Sequence, residues 1–261
     1  MSGSALFCLC VLVRAFEFSP LLGTAGAILA GTAVSDWQAQ FSHNPALTTE
    51  SGRLAGGAAY CAPFGLADVH CAAACLGSRV GGWAGGLSVT SLSFDAFRET
   101  DVHANAGWMP LPGLSAGVGA HWMTVDQGRY GVDWAPKFDV GALWETGRLR
   151  LGAAALGVNM PRFANGDELG LRLLAGAAFR PVESLVLALD LNRYEEQEGV
   201  SLGAEFRLVP PLALRAGGGV GPLSYGSGLR ISAGSLAVDY AYRFHPQLKE
   251  THAVGLQAAW R

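Results

Sequence analysis

Histidine, cysteine, serine and the carboxylates are the residues here that could carry covalent or metal chemistry. The six histidines stand at 43, 70, 103, 121, 245 and 252 and are scattered along the chain. No serine sits in a G-x-S-x-G setting, the turn that exposes a nucleophile above a sheet. His103 and His121 fall where two adjacent strands would point them inward, and Glu145 is near in sequence. No nucleophile accompanies them, and a catalytic triad is defined by mutual geometry that spacing does not supply. The five cysteines, at 8, 10, 61, 71 and 75, form no C-x-x-C pair. A zinc site is therefore not expected, and neither a metal nor another cofactor is assigned. Cys61 and Cys71 flank an expected hairpin, where a disulfide and a pair of small strand residues both remain open. The chemistry-bearing residues thus point away from an enzyme.

A second set of polar residues has a more informative spacing. Arg172, Asp190, Glu205, Arg207, Arg215, Arg230, Asp239 and Arg243 alternate with large apolar side chains. Neighbouring segments offer opposite signs, Glu205 with Arg215 and Asp239 with Arg230. Charges facing a narrow interior must be paired. A lattice that holds the interior together is expected ahead of a polar path for a substrate.

Such charges need strands to present them. Leu185, Leu187, Leu189 and Leu191 share one face, with Val186, Ala188, Asp190 and Asn192 on the other. The same period of two recurs over Val200–Leu208, Leu236–Phe244 and Val254–Trp260, which is the strand signature. Half of the 261 residues are hydrophobic, only 15% are charged, and mean hydropathy is +0.27. A soluble domain carries about a quarter charged residues. A spanning helix needs about 20 consecutive apolar residues, and the best run, Phe18 to Ser35, is interrupted by Ser, Thr, Pro and Gly. A closed barrel satisfies its backbone in lipid without a helix, and the 36 glycines suit a packed interior.

The expected fold is all-β: a transmembrane antiparallel up-and-down β-barrel of about 14 strands over residues 52–261. Twelve strands would follow if the Gly/Ala-rich stretch from Leu54 to Leu76 paired differently. Compact turns are expected at Pro110–Gly113, Glu145–Gly147, Pro181–Ser184, Val209–Pro211 and Ala233–Ser235. Longer polar connections are expected over Asp126–Trp134, Asn159–Glu168, Arg193–Gly199, Gly221–Gly226 and His245–Thr251. That alternation matches short periplasmic turns and longer outer loops. Trp83, Trp108, Trp144, Phe179, Phe206 and Trp260 then fall at the periplasmic rim on the apolar face, as an interfacial girdle would. Trp122, Phe94, Tyr194 and Phe244 fall near the opposite rim.

Residues 1–15 read as an atypical signal peptide: Leu6 to Val13 is apolar, but the basic start is missing. Residues 16–51 read as an N-terminal plug for the lumen, because a segment of such low charge is poorly suited to free solvation. Gly23 to Trp37 would form a small helix that Gly23, Gly26 and Gly31 let bend, while Asn44 and Pro45 fix its turn into the first strand. Net charge is -3 and no Lys/Arg-rich stretch occurs, so no nucleic-acid partner is expected.

Three blocks resemble the PorV/PorQ family, relatives of the FadL-type transporters. Phe16-Glu17-Phe18 with Leu22-Gly23 and then Asn44-Pro45-Ala46 is similar to the family's plug and its Asn-Pro-Ala signature. Leu202–Phe206 followed by Leu212–Gly217 is similar to two late strands. Asp239–Tyr242 followed by Thr251–Leu256 is similar to the final hairpin. The chain is short for the family, and Trp260 is penultimate where an aromatic usually ends the barrel. The resemblance implies a bacterial outer-membrane barrel, in contact with outer-membrane lipid, that passes small hydrophobic compounds past a movable plug. It also implies an alternative, an accessory or scaffold role beside secretion-system proteins of the type IX kind.

Overall fold

The computed structural model describes residues 27–34 and 39–260. Fourteen antiparallel strands form a closed barrel. The first seven are β1 (Leu54–Ala62), β2 (His70–Val80), β3 (Trp83–Phe94), β4 (Phe97–Leu111), β5 (Leu114–Asp126), β6 (Val132–Thr146) and β7 (Leu149–Leu156). The rest are β8 (Arg172–Val182), β9 (Leu185–Tyr194), β10 (Gln197–Val209), β11 (Leu212–Val220), β12 (Ser224–Ala233), β13 (Leu236–His245) and β14 (Lys249–Trp260). Each strand pairs with its sequence neighbours, and β1 closes on β14 from Leu54↔Trp260 to Ala62↔His252. The Gly/Ala-rich β1 and β2 are regular members of the ladder, which gives the 14-strand count.

The period of two sorts side chains as expected. On β13, Leu236 and Val238 are exposed outside, while Ala237, Asp239 and Ala241 are buried inside. The barrel is thus inside-out relative to a soluble sandwich: Leu, Val, Phe and Trp cover its exterior, and small or polar residues line its interior.

Its two ends differ. At one end every connection is two residues, at 81–82, 112–113, 147–148, 183–184, 210–211 and 234–235. Gly81, Gly113, Gly147 and Gly234 take positive φ there, which such tight turns need. At the other end, loops run over 63–69, 127–131 and 157–171, but 95–96 and 195–196 are as tight as the turns, and 221–223 and 246–248 are one residue longer. Several expected long connections are therefore shorter than the polar composition suggested. Gln197 and Glu198 are strand residues of β10, paired with Tyr194 and Arg193. A solvated hairpin tip and the strand ends beside it share the same polar residues, so composition overstates the loop.

The 157–171 loop is an ordered cover. Phe163 is buried with Met123 and Ala135. Its N–H donates to Asp167 O at 2.8 Å, Leu169 N–H donates to Pro161 O at 2.9 Å, and Arg162 pairs with Glu168.

The described part of the N-terminal segment lies inside the barrel. A short helix, Ala39–Ser42, and a 3-10 turn, Pro45–Glu50, pack against β3 to β6. Ala27, Ile28, Ala30, Gly31, Thr32 and Ala33 are buried. The expected Gly23–Trp37 helix is corrected here. Residues 29–34 are non-helical, with Leu29 at φ 58°, because the amides of Gly31 and Thr32 donate to the wall instead of to a helix ladder. Gly23, Gly26 and the signal expected at 1–15 lie outside the described residues.

Candidate functional site

The plug is held by two polar anchors. Asn44 precedes the 3-10 turn and caps it, its Oδ1 accepting from Ala46 N–H at 3.0 Å. Its Nδ2 donates both to Thr32 O within the plug at 2.9 Å and to Ala142 O of β6 at 3.0 Å. One amide thus ties two plug segments to the wall. Pro45 supplies the fixed φ that a first helical position favours. The second anchor is Asp190 on β9. Its Oδ2 accepts from Gly31 N–H at 2.8 Å, Thr32 N–H at 2.9 Å and Thr32 Oγ1 at 2.8 Å. Asn105 adds a bond from its Nδ2 to Gln40 O at 2.6 Å.

Wall glycines make room for this packing. A Cβ on Gly117 would stand 2.3 Å from Pro45 C, and one on Gly141 would stand 2.1 Å from Asn44 Oδ1. A Cβ on Gly152 would meet Thr32 O at 2.2 Å, and those on Gly203 and Gly217 would meet Ile28 O at 2.2 and 2.4 Å. The plug backbone lies directly on the wall, and any larger residue would displace it. The sequence signal for this was present only as glycine abundance; which glycines matter depends on contacts far apart in the chain.

All but one of the charged residues occupy two regions. Glu205, Arg215, Asp239 and Arg230 form one ladder across β10 to β13. Arg215 Nε lies 2.8 Å from Glu205 and its Nη1 2.5 Å from Asp239. Arg230 holds Asp239 with Nε at 2.8 Å and Nη2 at 2.9 Å. Gln257 completes it, donating to Asp239 Oδ2 at 3.2 Å. Arg172 and Arg243 lie toward the loop end, beside Asp190 and Asn192 around a cavity of about 100 Å³. Arg207 is exposed near the turn end and outside the ladder.

The plug divides the lumen. On the turn side is a cavity of about 630 Å³ lined by Gln40, Glu50, Arg79, Arg230 and Gln257. On the loop side is an apolar seam: Ala27 of the plug packs in one cluster with Cys61, Val69, Cys71, Leu92 and Phe94. Phe64 and Phe97 close over it. Phe94 lies at the loop end of β3, as expected, but faces the lumen; its parity is that of buried Leu92, opposite to exposed Trp83. Cys61 and Cys71 are directly opposite each other in this seam and are free thiols.

The outer aromatics lie at two levels. Trp83, Trp108, Trp144, Phe179, Phe206 and Trp260 are all exposed near the turn end, and Trp83 stacks on Trp108 at 5.6 Å. Near the loop end Trp122 stacks on Trp134 at 4.1 Å. Trp134 was read as loop but is a strand residue of β6. From Trp134 to Trp144 the strand covers about 34 Å, or about 26 Å along the axis at a tilt of about 40°. Phe138 and Val140 are exposed between them.

The histidines are not gathered into a triad. His70 and His252 are exposed and bond Tyr60 and Tyr240, and His43 belongs to the plug. His103 and His121 face inward side by side as expected. Glu145 is not with them; it lies near the turn end, paired with Arg150.

No protein-family model matches the chain, and no curated protein matches it. Solved structures do match. The CymD monoaromatic hydrocarbon channel superposes with a TM-score of 0.72 at 14% identity, over 92% of this chain and 96% of that one. The toluene transporter TbuX of Ralstonia pickettii gives 0.70 at 13%, over 91% and 97%. A FadL homologue of Pseudomonas aeruginosa gives 0.67 at 12%, over 92% and 98%. The chain shares their fold. At such identities the likeness is one of architecture, the FadL-type 14-strand barrel.

Proposed function

We propose that this protein is a bacterial outer-membrane channel for small hydrophobic compounds. The observation that carries the reading is the plug: a segment pinned in the lumen by Asn44 and Asp190, with an apolar seam on its loop side and an open cavity on its turn side. The band of about 26 Å between Trp134 and Trp144 suits the apolar zone of an outer-membrane barrel, with the loop end outside and the turn end periplasmic. The solved structures named as hydrocarbon channels support the same reading. An apolar molecule would enter between Phe64, Phe94 and Phe97. Passage would need the plug to move, because it sits directly against the wall glycines. Gly31 is the expected hinge glycine that falls among the described residues, and a Cβ there would meet the His43 ring at 2.9 Å.

The test is uptake of radiolabelled toluene and of oleate into proteoliposomes holding the folded chain. Uptake above that of empty liposomes is expected for at least one of them. Rates equal to empty liposomes for both would overturn the proposal. A PorV/PorQ-type scaffold role would use the loop end; among the described residues only 157–171 forms an extended surface there, and no specific observation favours that reading.

A further inference from the structure

Away from the plug anchors, three inward side chains on adjacent strands converge. His103 of β4 stands directly opposite His121 of β5, and their rings stack at 3.5 Å. Asp139 of β6 reaches the same point: its Oδ2 is 2.8 Å from His121 Nε2. One donor atom from each of the three lies within 4.8 Å of the others. All three residues are buried.

We propose that His103, His121 and Asp139 bind a divalent transition-metal ion of the zinc class in the barrel wall. Two imidazoles and one carboxylate suit zinc, nickel or cobalt, not the all-oxygen preference of calcium or magnesium. Donor–metal distances of about 2.0–2.2 Å require the donor atoms, now within 4.8 Å of one another, to draw together, and the two stacked rings must turn out of their stack so that each nitrogen faces the ion.

His103 is the independent sign of a ligand. Neither of its ring nitrogens has a hydrogen-bond partner among the described residues, although the residue is only 2% exposed. Buried polar groups are nearly always satisfied, so an imidazole with no hydrogen-bond partner, stacked on a second imidazole and within 4.8 Å of a carboxylate, calls for an occupant. Gly119 keeps space at that nitrogen: a Cβ there would lie 2.5 Å from His103 Nε2. His121 is already oriented. Asp101 accepts from its Nδ1 at 2.8 Å, which leaves Nε2 as the metal-facing atom, the arrangement that ligating histidines usually have. Asp139 is held too, its Oδ1 accepting from Gly157 N–H at 2.8 Å where β7 ends.

Lys137 is the competitor. Its Nζ lies 3.4 Å from Asp139 Oδ2, so it must swing away when the ion enters. Phe41 of the plug rests edge-on against His103 at 5.5 Å, which puts the ion one side chain from the plug.

The experiment is titration of the folded full chain in detergent micelles with Co2+, read by its visible d–d bands, with equilibrium dialysis of Zn2+ for stoichiometry. One equivalent is expected to bind. H103Q and H121Q should each weaken binding at least tenfold, D101N about 10- to 100-fold, and K137A should bind at least as tightly as wild type. H252Q, on the outer face, should leave affinity unchanged. H103Q is the decisive variant, because His103 has no hydrogen-bond partner among the described residues whose loss would unfold the barrel; heat-modifiability on a gel confirms that it is folded. Absence of d–d bands in the wild type, or equal affinity in folded H103Q, would overturn the proposal. Neither result depends on whether the chain transports anything.

Discussion

Asp190 of the wall grips Thr32 of the plug twice, through the backbone N–H at 2.9 Å and the hydroxyl at 2.8 Å. The same oxygen also accepts from Gly31. Replacing Asp190 with Ala strands three buried donors, each costing about 1–3 kcal/mol. Asp190→Ala is therefore expected to loosen the plug, making residues near 27–34 open to protease in the folded barrel. An unchanged digestion pattern would mean that the anchor is dispensable.

Asn44 gives a sharper chemical test. Asn44→Ala loses the cap and both Nδ2 donations, a loss of about 2 kcal/mol or more. Asn44→Asp keeps a cap acceptor, but its second oxygen would face the carbonyls of Thr32 and Ala142, which are both acceptors. Asp is expected to be at least as destabilising as Ala, measured by the temperature at which the barrel loses its heat-resistant gel mobility. A milder Asp variant would contradict the assigned donor role.

Gly141→Ala and Gly117→Ala should push the plug from the wall, since their new methyl groups would lie 2.1 and 2.3 Å from Asn44 and Pro45. Overpacking of this kind costs about 1–3 kcal/mol. Gly85→Ala is the control, with its nearest atom at 3.7 Å. Dye leakage from proteoliposomes should rise for the first two and stay at the wild-type level for the third.

Asp239 neutralises both Arg215 and Arg230. Asp239→Ala should destabilise the barrel by about 3–5 kcal/mol, the scale for breaking a buried pair from one side. Glu168→Gln, at the exposed partner of Arg162, should have little effect, because water screens a surface pair. Unfolding in guanidinium separates the two, and equal effects would mean that the interior ladder is as solvated as the loop.

Val140 and Val132 sit on the same outer face of β6 at different heights. Arginine at Val140 should cost about 2–4 kcal/mol in a bilayer, and at Val132 about 0–1. Folding into lipid vesicles measures both. A reversed order would displace the proposed membrane band.

The late strands were legible because their residues are emphatic: Leu187, Leu189 and Leu191 against Ala188 and Asp190 leave little choice of face. β1 and β2 were less so, since Gly57, Ala58 and Ala59 give alternation nothing to act on, and only the closing ladder with β14 settles them. Asn44-Pro45-Ala46 was legible as a fixed turn because a cap followed by proline is a local signal. Asp190 was legible as an inward charge but not as an anchor, because its partner Thr32 is far away in sequence. His121 and His103 could be placed side by side by strand parity, whereas Asp139 joins them only through a third strand. Trp134 is hard to place because polar residues 126–129 and Asp133 surround the start of β6, whose outer face already begins at Val132.

The position of the plug directly ahead of β1 bears on how the chain is assembled. β1 pairs with β14, so the seam joins the first and last strands of the barrel, a pairing of high sequence separation that closes late. Residues 39–50 run straight into β1, so the segment bonded to β6 through Asn44 is tethered to the strand that makes the seam. Closing the cylinder therefore brings the plug to the mouth of the lumen it fills. A barrel that closed with this segment left outside would have Asp190 and Ala142 without their partners.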